Sequence, residues 1–526
     1  MITGFLCDTL PALIRESGTM VVLTRLWMWL KARIALGQSG VCFTLLGRVW
    51  RWVKGLFQRS LLGGLLRERE DGGRLYENSL FCRLVDGFFA GLTRLGGKVI
   101  GLLTFGTGDS LFIGWARTLL SKVGLWDYPT LCGVVLAAMF LCPGQYWSNA
   151  YGLLMAVLLI GVLFVRMSMG LCPSLRLRDL SLPFVAFAFA TVLGVVGSSS
   201  VREGLRVFTF FLTALLLAVA LIYAIRDEIS LKRILGAIYV ALVLTGLYGF
   251  VQRVLGVEVD ASLTDLTLNA GMPGRVFSTF ENPNNYAEFL VMMIPLGVVY
   301  CAMIRDTGKR ALGLLGLILP LGALLMTYSR SGWVSFALMV VAFLFLYNKK
   351  LLPWVALVAL LAVPLLPESI FNRILTIGST QDSSNTYRLY IWDAALDMVG
   401  DFGLAGLGLG PGNFTPVYLQ YCHAEAVNAF HSHMLYLELW LEMGILGLGA
   451  YLLYYLGTIR KAVISLKRAS KPVALTLMAG ASALLGMSFI SAVEYIWFYP
   501  RVMFTFFVTM GILTAAIHLS RQKQWN

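Results

Sequence analysis

Residues 205–225 read LRVFTFFLTALLLAVALIYAI, an apolar run in which Arg206 is the one charged side chain. A helix of roughly 20 apolar residues is long enough to cross the hydrocarbon core of a bilayer, so this segment predicts a transmembrane helix. Eleven further apolar segments, two of them short, predict spans of the same kind. They lie near residues 129–143, 147–166, 181–198, 233–252, 284–304, 310–328, 331–348, 351–366, 433–458, 473–493 and 500–519. The sequence therefore predicts an all-α polytopic membrane protein with about 12 transmembrane helices.

The composition of the whole chain agrees with a membrane protein. Of its 526 residues, 58% are hydrophobic and 13% are charged, and the mean hydropathy is +0.77. Ordinary soluble domains contain roughly 45–50% apolar residues, and a soluble core cannot bury the surplus found here. The same figures exclude a disordered chain. Eight scattered cysteines, with no C-x-x-C pair, indicate neither a zinc site nor a disulfide framework.

Residues 1–126 differ from the rest of the chain. They contain 16 Lys and Arg against 8 Asp and Glu, with short apolar runs between the cations. Segments such as 26–30 and 49–53 place Trp beside Arg or Lys, and none approaches the length of a span. This pattern is typical of helices that lie in the interface of an anionic membrane, with a cytoplasmic tail as the alternative. We therefore divide the chain into a basic amphipathic cytoplasmic or interfacial region, 1–126, and a twelve-span membrane domain, 127–526.

The distribution of Lys and Arg predicts the orientation in the membrane. If the N-terminus is cytoplasmic and the spans alternate, 34 of the 42 cations lie on the cytoplasmic side, in agreement with the positive-inside rule. The remaining eight are all arginine, although 12 of the 42 cations are lysine. They are Arg202, Arg206, Arg253, Arg275, Arg330, Arg373, Arg388 and Arg501. Because a guanidinium binds phosphate oxygens in pairs, these arginines favour a phosphate-binding site at the outer face of the membrane.

Two outer segments, 253–283 and 367–432, are longer than connectors between spans need to be. Within the second, residues 387–399 have the spacing of an amphipathic helix. Its predicted apolar side consists of Leu389, Trp392, Ala395, Leu396 and Val399. A glycine run follows, at 403–412, which could form a backbone nest for phosphate or, in the interpretation we favour, let the loop fold close against the bilayer. Long ordered loops are usually functional, so a site is expected here.

Three of the four histidines, His423, His431 and His433, lie within eleven residues at the end of this loop and the start of the next span. Histidine is the side chain most readily poised as a general base near neutral pH, which makes these residues candidates for catalysis. The alternative is that an interfacial histidine only anchors its helix. His518, at the predicted cytoplasmic end, is interpreted as incidental.

A metal site is the competing use of these histidines. On a helix, the i, i+2 spacing of His431 and His433 would point the two rings apart. Further ligands are available in principle, namely Asp401, Cys422 and Glu425, the pair Glu258 and Asp260, and the pair Asp393 and Asp397. Their spacing matches no known ligand motif, so we predict neither a metal nor another cofactor.

Three of the outer arginines stand in the most structured contexts. Arg275 lies in GRVFSTFENPNN, Arg330 in TYSRSGW and Arg388 in YRLYIW. A charge in a tight turn between two spans needs a partner or a ligand. Snorkelling to lipid phosphate, the simplest alternative for each arginine, explains Arg330 least well because its turn is too short to be a free loop.

From about residue 270 to 450, the order and spacing of these motifs resemble the O-antigen ligase and O-antigen polymerase superfamily. The matching pieces are GRVFSTFENPNN, TYSR, YRLYIW with the glycine run, and HSHMLYLE followed by EMGILG. The resemblance implies a membrane glycosyltransferase of the broad GT-C type, with a large outer loop between spans nine and ten. One departure is Met434, which stands where the family often has asparagine.

The resemblance also implies roles for individual residues. His433, or alternatively His431, would deprotonate the acceptor hydroxyl. Three arginines would bind the diphosphate leaving group and neutralise the charge that develops on it. They are Arg275, Arg330 and Arg388. Three further residues in the matching motifs are expected to support the site, namely Asn282, Asn284 and Glu442.

The predicted function is transfer of a glycan from a polyprenyl (undecaprenyl) diphosphate carrier to an acceptor hydroxyl on the outer face of the cytoplasmic membrane, in cell-surface polysaccharide assembly. The predicted partners are this lipid-linked donor, a glycan or glycolipid acceptor, and membrane lipids, without nucleic acid. Ligase and polymerase differ only in the acceptor, and no residue decides between them. The alternative is a twelve-span transporter or flippase for a glycan or anion, because MIRDTGKR at 303–310 faintly resembles a major-facilitator motif. Transporters place their binding groups near the midplane, whereas here the polar groups lie at the outer surface.

Overall fold

In the computed structural model, the protein is described at residues 76, 78–105, 127–257, 274–375 and 383–522. These ranges fall within one compact unit, 74–526, and contain helices but no β-strand. The α-helices within them are α1 (Leu80–Phe105), α2 (Tyr128–Leu141), α3 (Asn149–Ser168), α4 (Leu182–Val196), α5 (Val201–Ala224), α6 (Glu228–Leu255), α7 (Pro283–Ala302), α8 (Thr307–Gly316), α9 (Ile318–Met326), α10 (Arg330–Asn348), α11 (Leu352–Ala362), α12 (Glu368–Leu375), α13 (Ser383–Phe402), α14 (Pro411–Tyr418), α15 (Leu435–Ser465), α16 (Lys471–Ser491) and α17 (Pro500–Gln522). The segments 26–30 and 49–53 and the acidic pair Glu258 and Asp260 lie outside the described residues.

Nine helical segments in the described part of the chain are long and apolar enough to cross a membrane, which confirms the polytopic helical architecture. They are Asn149–Ser168, Val201–Ala224, Glu228–Leu255, Pro283–Ala302, Thr307–Met326, Arg330–Ala362, Leu435–Ser465, Lys471–Ser491 and Pro500–Arg521. The predicted spans 129–143 and 181–198 correspond to shorter apolar helices, α2 and α4. Those at 331–348 and 351–366 both overlap Arg330–Ala362. The count of twelve therefore stays a prediction.

The bundle is organised around α7 and α17. In the apolar stretch of each, 83% of the residues are buried, against 17% for Arg330–Ala362 at the periphery. α17 packs along α5, α7 along α16, and α2 along α6. Between α4, α5, α15 and the loop before α17, the rings of Phe187, Phe211, Tyr451 and Trp497 contact one another with centroids 5.3 to 6.2 Å apart. This cluster ties together helices that are distant in the sequence.

Short polar side chains determine where two helices begin. Asn282 accepts a hydrogen bond from the Asn285 N–H at 3.0 Å and caps α7, and Ser329 accepts from the Gly332 N–H at 3.3 Å and caps α10. Because the first N–H groups of a helix have no partner within it, these caps satisfy donors that are costly to leave unpaired in a membrane protein. Both caps lie in motifs that also carry the arginines of interest.

The helix predicted at 387–399 is longer than expected, and its buried face differs from the predicted one at two positions. It extends over Ser383–Phe402 as α13. Its buried face belongs to a small second core and consists of Ile391, Ala394, Ala395 and Met398. Leu389 and Leu396, which we predicted on the apolar side, are 56% and 57% exposed. The prediction was wrong at these two positions because the buried stripe follows the i, i+3, i+4, i+7 spacing that starts at Ile391.

The glycine run docks against α15 through backbone contacts. The Gly408 N–H donates to the Glu442 carbonyl oxygen at 3.1 Å, and the Ile445 N–H donates to the Gly403 carbonyl oxygen at 2.9 Å. α15 is kinked at Gly444, whose φ of +66° lies in the left-handed region. A Cβ at Gly444 would overlap the backbone of the run. The glycines therefore allow the loop to approach the helix at backbone distance.

Candidate active site

The loop that precedes α15, residues 427–434, is fixed by two glutamates. The Ser432 N–H donates to Glu438 Oε2 at 2.6 Å. The Leu435 N–H, at the first residue of α15, donates to the Glu494 carbonyl oxygen at 3.2 Å. The loop is thus held from α15 on one side and from the segment before α17 on the other.

His431 and His433 lie in this loop and not on a helix, because α15 begins at Leu435. The backbone turns at His433, where φ is +51°, and the centroids of the two rings are 4.2 Å apart. The divergence expected for i, i+2 residues on a helix therefore does not apply to this pair, which lies in a loop. The His433 N–H donates to His431 Nδ1 at 3.1 Å, so His431 stabilises the turn.

Glu494 connects the histidine loop to α13. One of its carboxylate oxygens accepts a hydrogen bond from Arg388 Nη2, and the other lies 3.6 Å from His433 Nδ1. Burial alone would raise the pKa of Glu494, but the charges of Arg388 and His433 outweigh burial and lower the pKa to about 2. Glu494 is therefore ionised at neutral pH and presents a negative charge to the imidazole.

The two histidines differ in their surroundings. His431 is 9% exposed, and its ring contacts Tyr495 and Phe498 with centroid distances of 5.5 and 4.5 Å. Burial, with the nearby His433, lowers the pKa of His431 to about 3, so this imidazole is neutral and a poor proton acceptor. The His433 side chain is 26% exposed and faces Glu494. Of the pair, His433 has the surroundings of a base.

Arg275 is held by hydrogen bonds inside the protein. Its Nε donates to the Thr327 carbonyl oxygen at 2.8 Å, and its Nη2 donates to Asn284 Oδ1 at 2.7 Å. Burial, together with the positive charges of Arg373 and Arg330, lowers the pKa of Arg275 to about 9. Arg373 binds the neighbouring Tyr328 carbonyl oxygen, and Arg330 directly follows the same turn, so the three arginines share one region. With a pKa of about 9, Arg275 is still protonated at neutral pH.

Arg330 and Arg373 come to this region from two different helices. Arg330 is the first residue of α10, directly after the tight turn that the sequence predicted. Arg373 belongs to α12, is 8% exposed, and donates from Nε to the Tyr328 carbonyl oxygen at 3.3 Å. The charges that act on Arg275 are these two cations and the carboxylate of Glu494. The group carries a net positive charge, which favours binding of an anion.

Strained backbone occurs in the Arg275 motif, in the Arg330 motif and in the histidine loop. Among the described residues other than glycine, Ser278, Tyr328 and His433 have left-handed φ angles, at +53°, +50° and +51°. Such conformations persist where the surroundings enforce them, often at functional sites. Gln252 of α6 enforces the first, accepting the Ser278 N–H at 2.7 Å and donating to the Ser278 carbonyl oxygen at 2.9 Å.

The three residues expected to support the site have distinct contacts. Asn282 caps α7, as described above, and Asn284 orients the Arg275 guanidinium. Glu442 is buried and accepts the Gly410 N–H at 2.8 Å, with the Tyr495 hydroxyl at 3.4 Å from its other oxygen. Glu442 thus connects the glycine run to the segment before α17.

The glycine run does not present a nest for phosphate. Consecutive N–H groups from Leu407 to Gly410 already donate within the protein, to α15 and to Ser198. A nest needs such donors to converge on a ligand. The alternative interpretation, in which the glycines permit close packing, is the one that these contacts support.

The third histidine and the acidic residues have other partners. His423 is hydrogen-bonded through Nε2 to Asp393 Oδ2 at 2.8 Å, and Asp401 accepts from the Tyr421 hydroxyl at 2.6 Å. Within the described ranges, no three His, Cys, Asp or Glu side chains are arranged to hold a metal ion.

Arg501, another of the predicted outer arginines, has a structural role. Its side chain is fully buried and donates to the Cys142 and Thr279 carbonyl oxygens at 2.6 and 2.7 Å and to Glu281 Oε1 at 3.0 Å. It therefore links the start of α17 to the loop after α2 and to the segment that carries Arg275.

Residues 315–452 match the family model described as O-antigen ligase. The match covers 138 of the 526 residues. The resemblance to the O-antigen ligase and polymerase superfamily is thereby confirmed. The matched residues include Arg330, Arg373, Arg388 and both histidines of the loop, whereas Arg275 and Glu494 lie outside them and belong to the same candidate site. No curated protein matches the chain.

Two residues of the candidate site were missed in the sequence. Arg373 counted only as one outer arginine among eight, because no motif surrounds it. Glu494 was not singled out, although it directly follows the predicted span 473–493. An ionisable residue at the end of a span is a functional signal, but its partners Arg388 and His433 are distant in the chain and are identified only in the fold.

Proposed function

We propose that the protein is a membrane glycosyltransferase that moves a glycan from a polyprenyl diphosphate carrier to an acceptor hydroxyl. The O-antigen ligase domain supports a membrane glycan ligase or polymerase function. We further propose that the donor is a lipid diphosphate, that the reaction requires no metal, and that it takes place on the outer face of the cytoplasmic membrane. In it, the membrane domain has twelve spans in a GT-C-like arrangement, with residues 367–432 as the large outer loop.

One observation carries the proposal. The carboxylate of Glu494 contacts both Arg388 and His433, close to the cluster of Arg275, Arg330 and Arg373. A candidate base and a set of permanent cations therefore lie side by side. Glycosyl transfer from a diphosphate needs this combination, because the acceptor loses a proton while the leaving group gains negative charge.

His433 is the proposed general base. The acceptor oxygen attacks the anomeric carbon, its proton passes to His433, and the bond between that carbon and the phosphate oxygen breaks with its electron pair leaving on the diphosphate. Glu494, ionised by virtue of its low pKa, stabilises the imidazolium that forms. In this mechanism Glu494 is a positioning residue and does not itself take the proton.

The arginines are proposed to receive the diphosphate. Arg275, Arg330 and Arg373 supply planar donor groups from three separate elements, and Arg275 stays charged at neutral pH because its pKa is about 9. Guanidinium groups suit this role because they bind two phosphate oxygens at once. Arg388, whose Nη2 is engaged by Glu494, would contribute its remaining donors from the side of the base.

Helix direction supports an anionic ligand at this end of the bundle. α7, α10, α15 and α17 all begin beside the site, as shown by the bonds from Leu435 to Glu494 and from Arg501 to Thr279. The N-terminus of a helix carries a partial positive charge. Four such ends therefore add to the field of the arginines, and we place the diphosphate of the carrier here, at the predicted outer face.

Reconstituted protein tests the proposal directly. Purified full-length protein is placed in sealed liposomes with a polyprenyl diphosphate-linked glycan as the donor. The acceptor offered is a lipid-linked core, a second glycan or a hydroxylated peptide, and each reaction is run with and without chelator. We expect release of polyprenyl diphosphate that depends on one acceptor, persists with chelator, and disappears in His433→Ala. Movement of the glycan across the membrane without release of polyprenyl diphosphate would overturn the proposal and favour a transporter.

A further inference from the structure

A second charged region lies at the other end of the bundle. α17 begins with Pro500 and Arg501 beside the candidate active site and extends to Arg521, roughly 30 Å away at about 1.5 Å per residue. At that end the protein contains a cavity of about 250 Å³. The cavity is enclosed by the 3-10 turn Leu177–Asp179 and by the ends of α5 and α17.

The cavity is strongly cationic. Four arginines line it, namely Arg176, Arg178, Arg226 and Arg521. Asp179 is the one carboxylate in the lining, and it is paired with Arg176, whose Nε lies 3.2 Å from Asp179 Oδ2. The lining thus carries an excess of positive charge.

Hydrogen bonds hold these groups in place. The Tyr223 hydroxyl donates to Asp179 Oδ2 at 2.8 Å and accepts the Arg176 backbone N–H at 2.8 Å. The Arg226 guanidinium stacks over the Tyr223 ring at 4.6 Å and donates from Nε to the Tyr223 carbonyl oxygen at 3.1 Å. The aromatic ring and the carboxylate therefore form a scaffold that orders two of the four arginines around the cavity.

This arrangement differs from the ordinary excess of cations at a membrane surface. Lys349 and Lys350, for example, are exposed in the turn between α10 and α11. The cavity instead gathers guanidinium groups from three separate elements of the fold. Convergent arginines around a concavity are typical of a bound phosphate group.

We propose that this cavity binds the phosphate headgroup of an anionic phospholipid. The ends of the spans α5 and α17 are the level at which lipid headgroups lie, so a phosphate reaches the cavity from the adjacent leaflet. The cavity of about 250 Å³ is large enough for a phosphate group, since one water molecule needs only about 10–15 Å³ of such volume. This site is separate from the candidate active site and does not depend on the proposed transfer reaction.

Binding of short-chain lipids to the purified full-length protein tests the proposal. The probes are dioctanoyl phosphatidic acid, dioctanoyl phosphatidylcholine and inorganic phosphate, each titrated while the dissociation constant is measured. The cavity variant is Arg178→Gln with Arg521→Gln, and the control is Lys349→Gln with Lys350→Gln, which removes the same charge outside the cavity. A second variant, Arg226→Lys, keeps the charge and removes the planar fork.

We expect the cavity variant to bind phosphatidic acid at least about tenfold more weakly than the wild type and the lysine control. Arg226→Lys should show an intermediate loss. Tighter binding of phosphatidic acid than of inorganic phosphate identifies a lipid as the source, whereas equal binding identifies a soluble phosphate in the same site. Two results would overturn the proposal. In the first, the wild type binds neither phosphatidic acid nor phosphate more tightly than phosphatidylcholine. In the second, a folded cavity variant binds phosphatidic acid as tightly as the wild type.

Discussion

His433 Nδ1 lies 3.6 Å from Glu494 Oε2, across two loops that precede different helices of the bundle. The other oxygen of the same carboxylate is held by Arg388. One side chain thus restrains both a candidate base and a candidate phosphate ligand. The consequences of this arrangement can be measured, because proton transfer and donor binding respond differently to a change at Glu494.

Replacing Glu494 with Gln should lower kcat for glycan transfer by about tenfold to a hundredfold, because the imidazolium of His433 loses its counter-charge. Binding of the lipid diphosphate should weaken less, since the amide oxygen can still accept from Arg388. Steady-state kinetics with separate titration of the donor measure the two effects. Glu425→Gln, an exposed carboxylate of the same predicted outer loop, is the control. Equal losses in kcat and in donor affinity would contradict a positioning role.

The two histidines should be separable by mutation. His433→Ala is expected to lower the transfer rate by at least about a hundredfold, the usual contribution of a general base, with donor binding retained. His431→Gln should lower it by less, because an imidazole with a pKa of about 3 is unsuited to accept a proton at neutral pH. Transfer assays on both variants, with His423→Ala as the control, decide the assignment. If the larger loss belongs to His431→Gln, the base is His431.

Arg330→Lys should weaken binding of the lipid diphosphate by about tenfold, because a point charge replaces a planar fork that can hold two phosphate oxygens. The measurement is the dissociation constant of a polyprenyl diphosphate for purified protein. Arg202→Lys makes the same change at an exposed arginine at the start of α5. Similar affinities in both variants would show that charge alone is sufficient at residue 330.

Gly444→Ala should destabilise the protein by about 1–3 kcal/mol, because φ is +66° there and a Cβ would overlap the docked glycine run. The melting temperature in detergent is the readout. Gly449→Ala, in the same helix and with no neighbouring atom near its Cβ position, should leave stability unchanged or slightly raised. If Gly444→Ala and Gly449→Ala have the same melting temperature, the left-handed conformation at residue 444 is not required for stability.

Acid should destabilise the fold partly through His431. Its pKa falls from 6.5 to about 3 on burial, so below pH 6.5 the unfolded chain binds a proton that the folded protein excludes. Stability is therefore lost as the pH falls from about 6.5 towards 3. Glu494, with its pKa lowered from 4.5 to about 2, adds a further loss between those values. The melting temperature of His431→Gln should fall less than that of the wild type between pH 7 and pH 5. If the melting temperatures of the wild type and of His431→Gln change equally with pH, His431 is not the origin of the acid destabilisation.

The candidate site was predictable where the chemistry is local. TYSR predicted a cation at a tight turn, and the structure places Arg330 at the first residue of a helix directly after that turn. HSHMLYLE predicted a histidine at the head of a span, and α15 begins two residues after His433. These predictions succeed because turn residues, helix starts and apolar length are properties of a few consecutive residues.

The predictions failed where the answer depends on packing. Leu389 and Leu396 have the hydrophobicity of a buried face, yet the side of α13 that packs is set by its neighbours in the second core. On a helix the spacing of His431 and His433 would separate their rings, yet the rings meet because the chain is still a loop there. Neither result follows from the hydrophobic periodicity, since both depend on which other parts of the protein pack against these residues.

The membrane class, the apolar segments, and the arginine and histidine motifs that resemble an O-antigen ligase are all visible in the amino-acid sequence. Those features follow from the free energy of placing side chains in lipid and from short-range backbone geometry. The fold is needed to show that Glu494 joins Arg388 to His433, that Arg373 lies near Arg275, and that Arg501 has a structural role. The reason is that a charge acts over a few ångströms, and helix packing alone sets which distant residues come within that range.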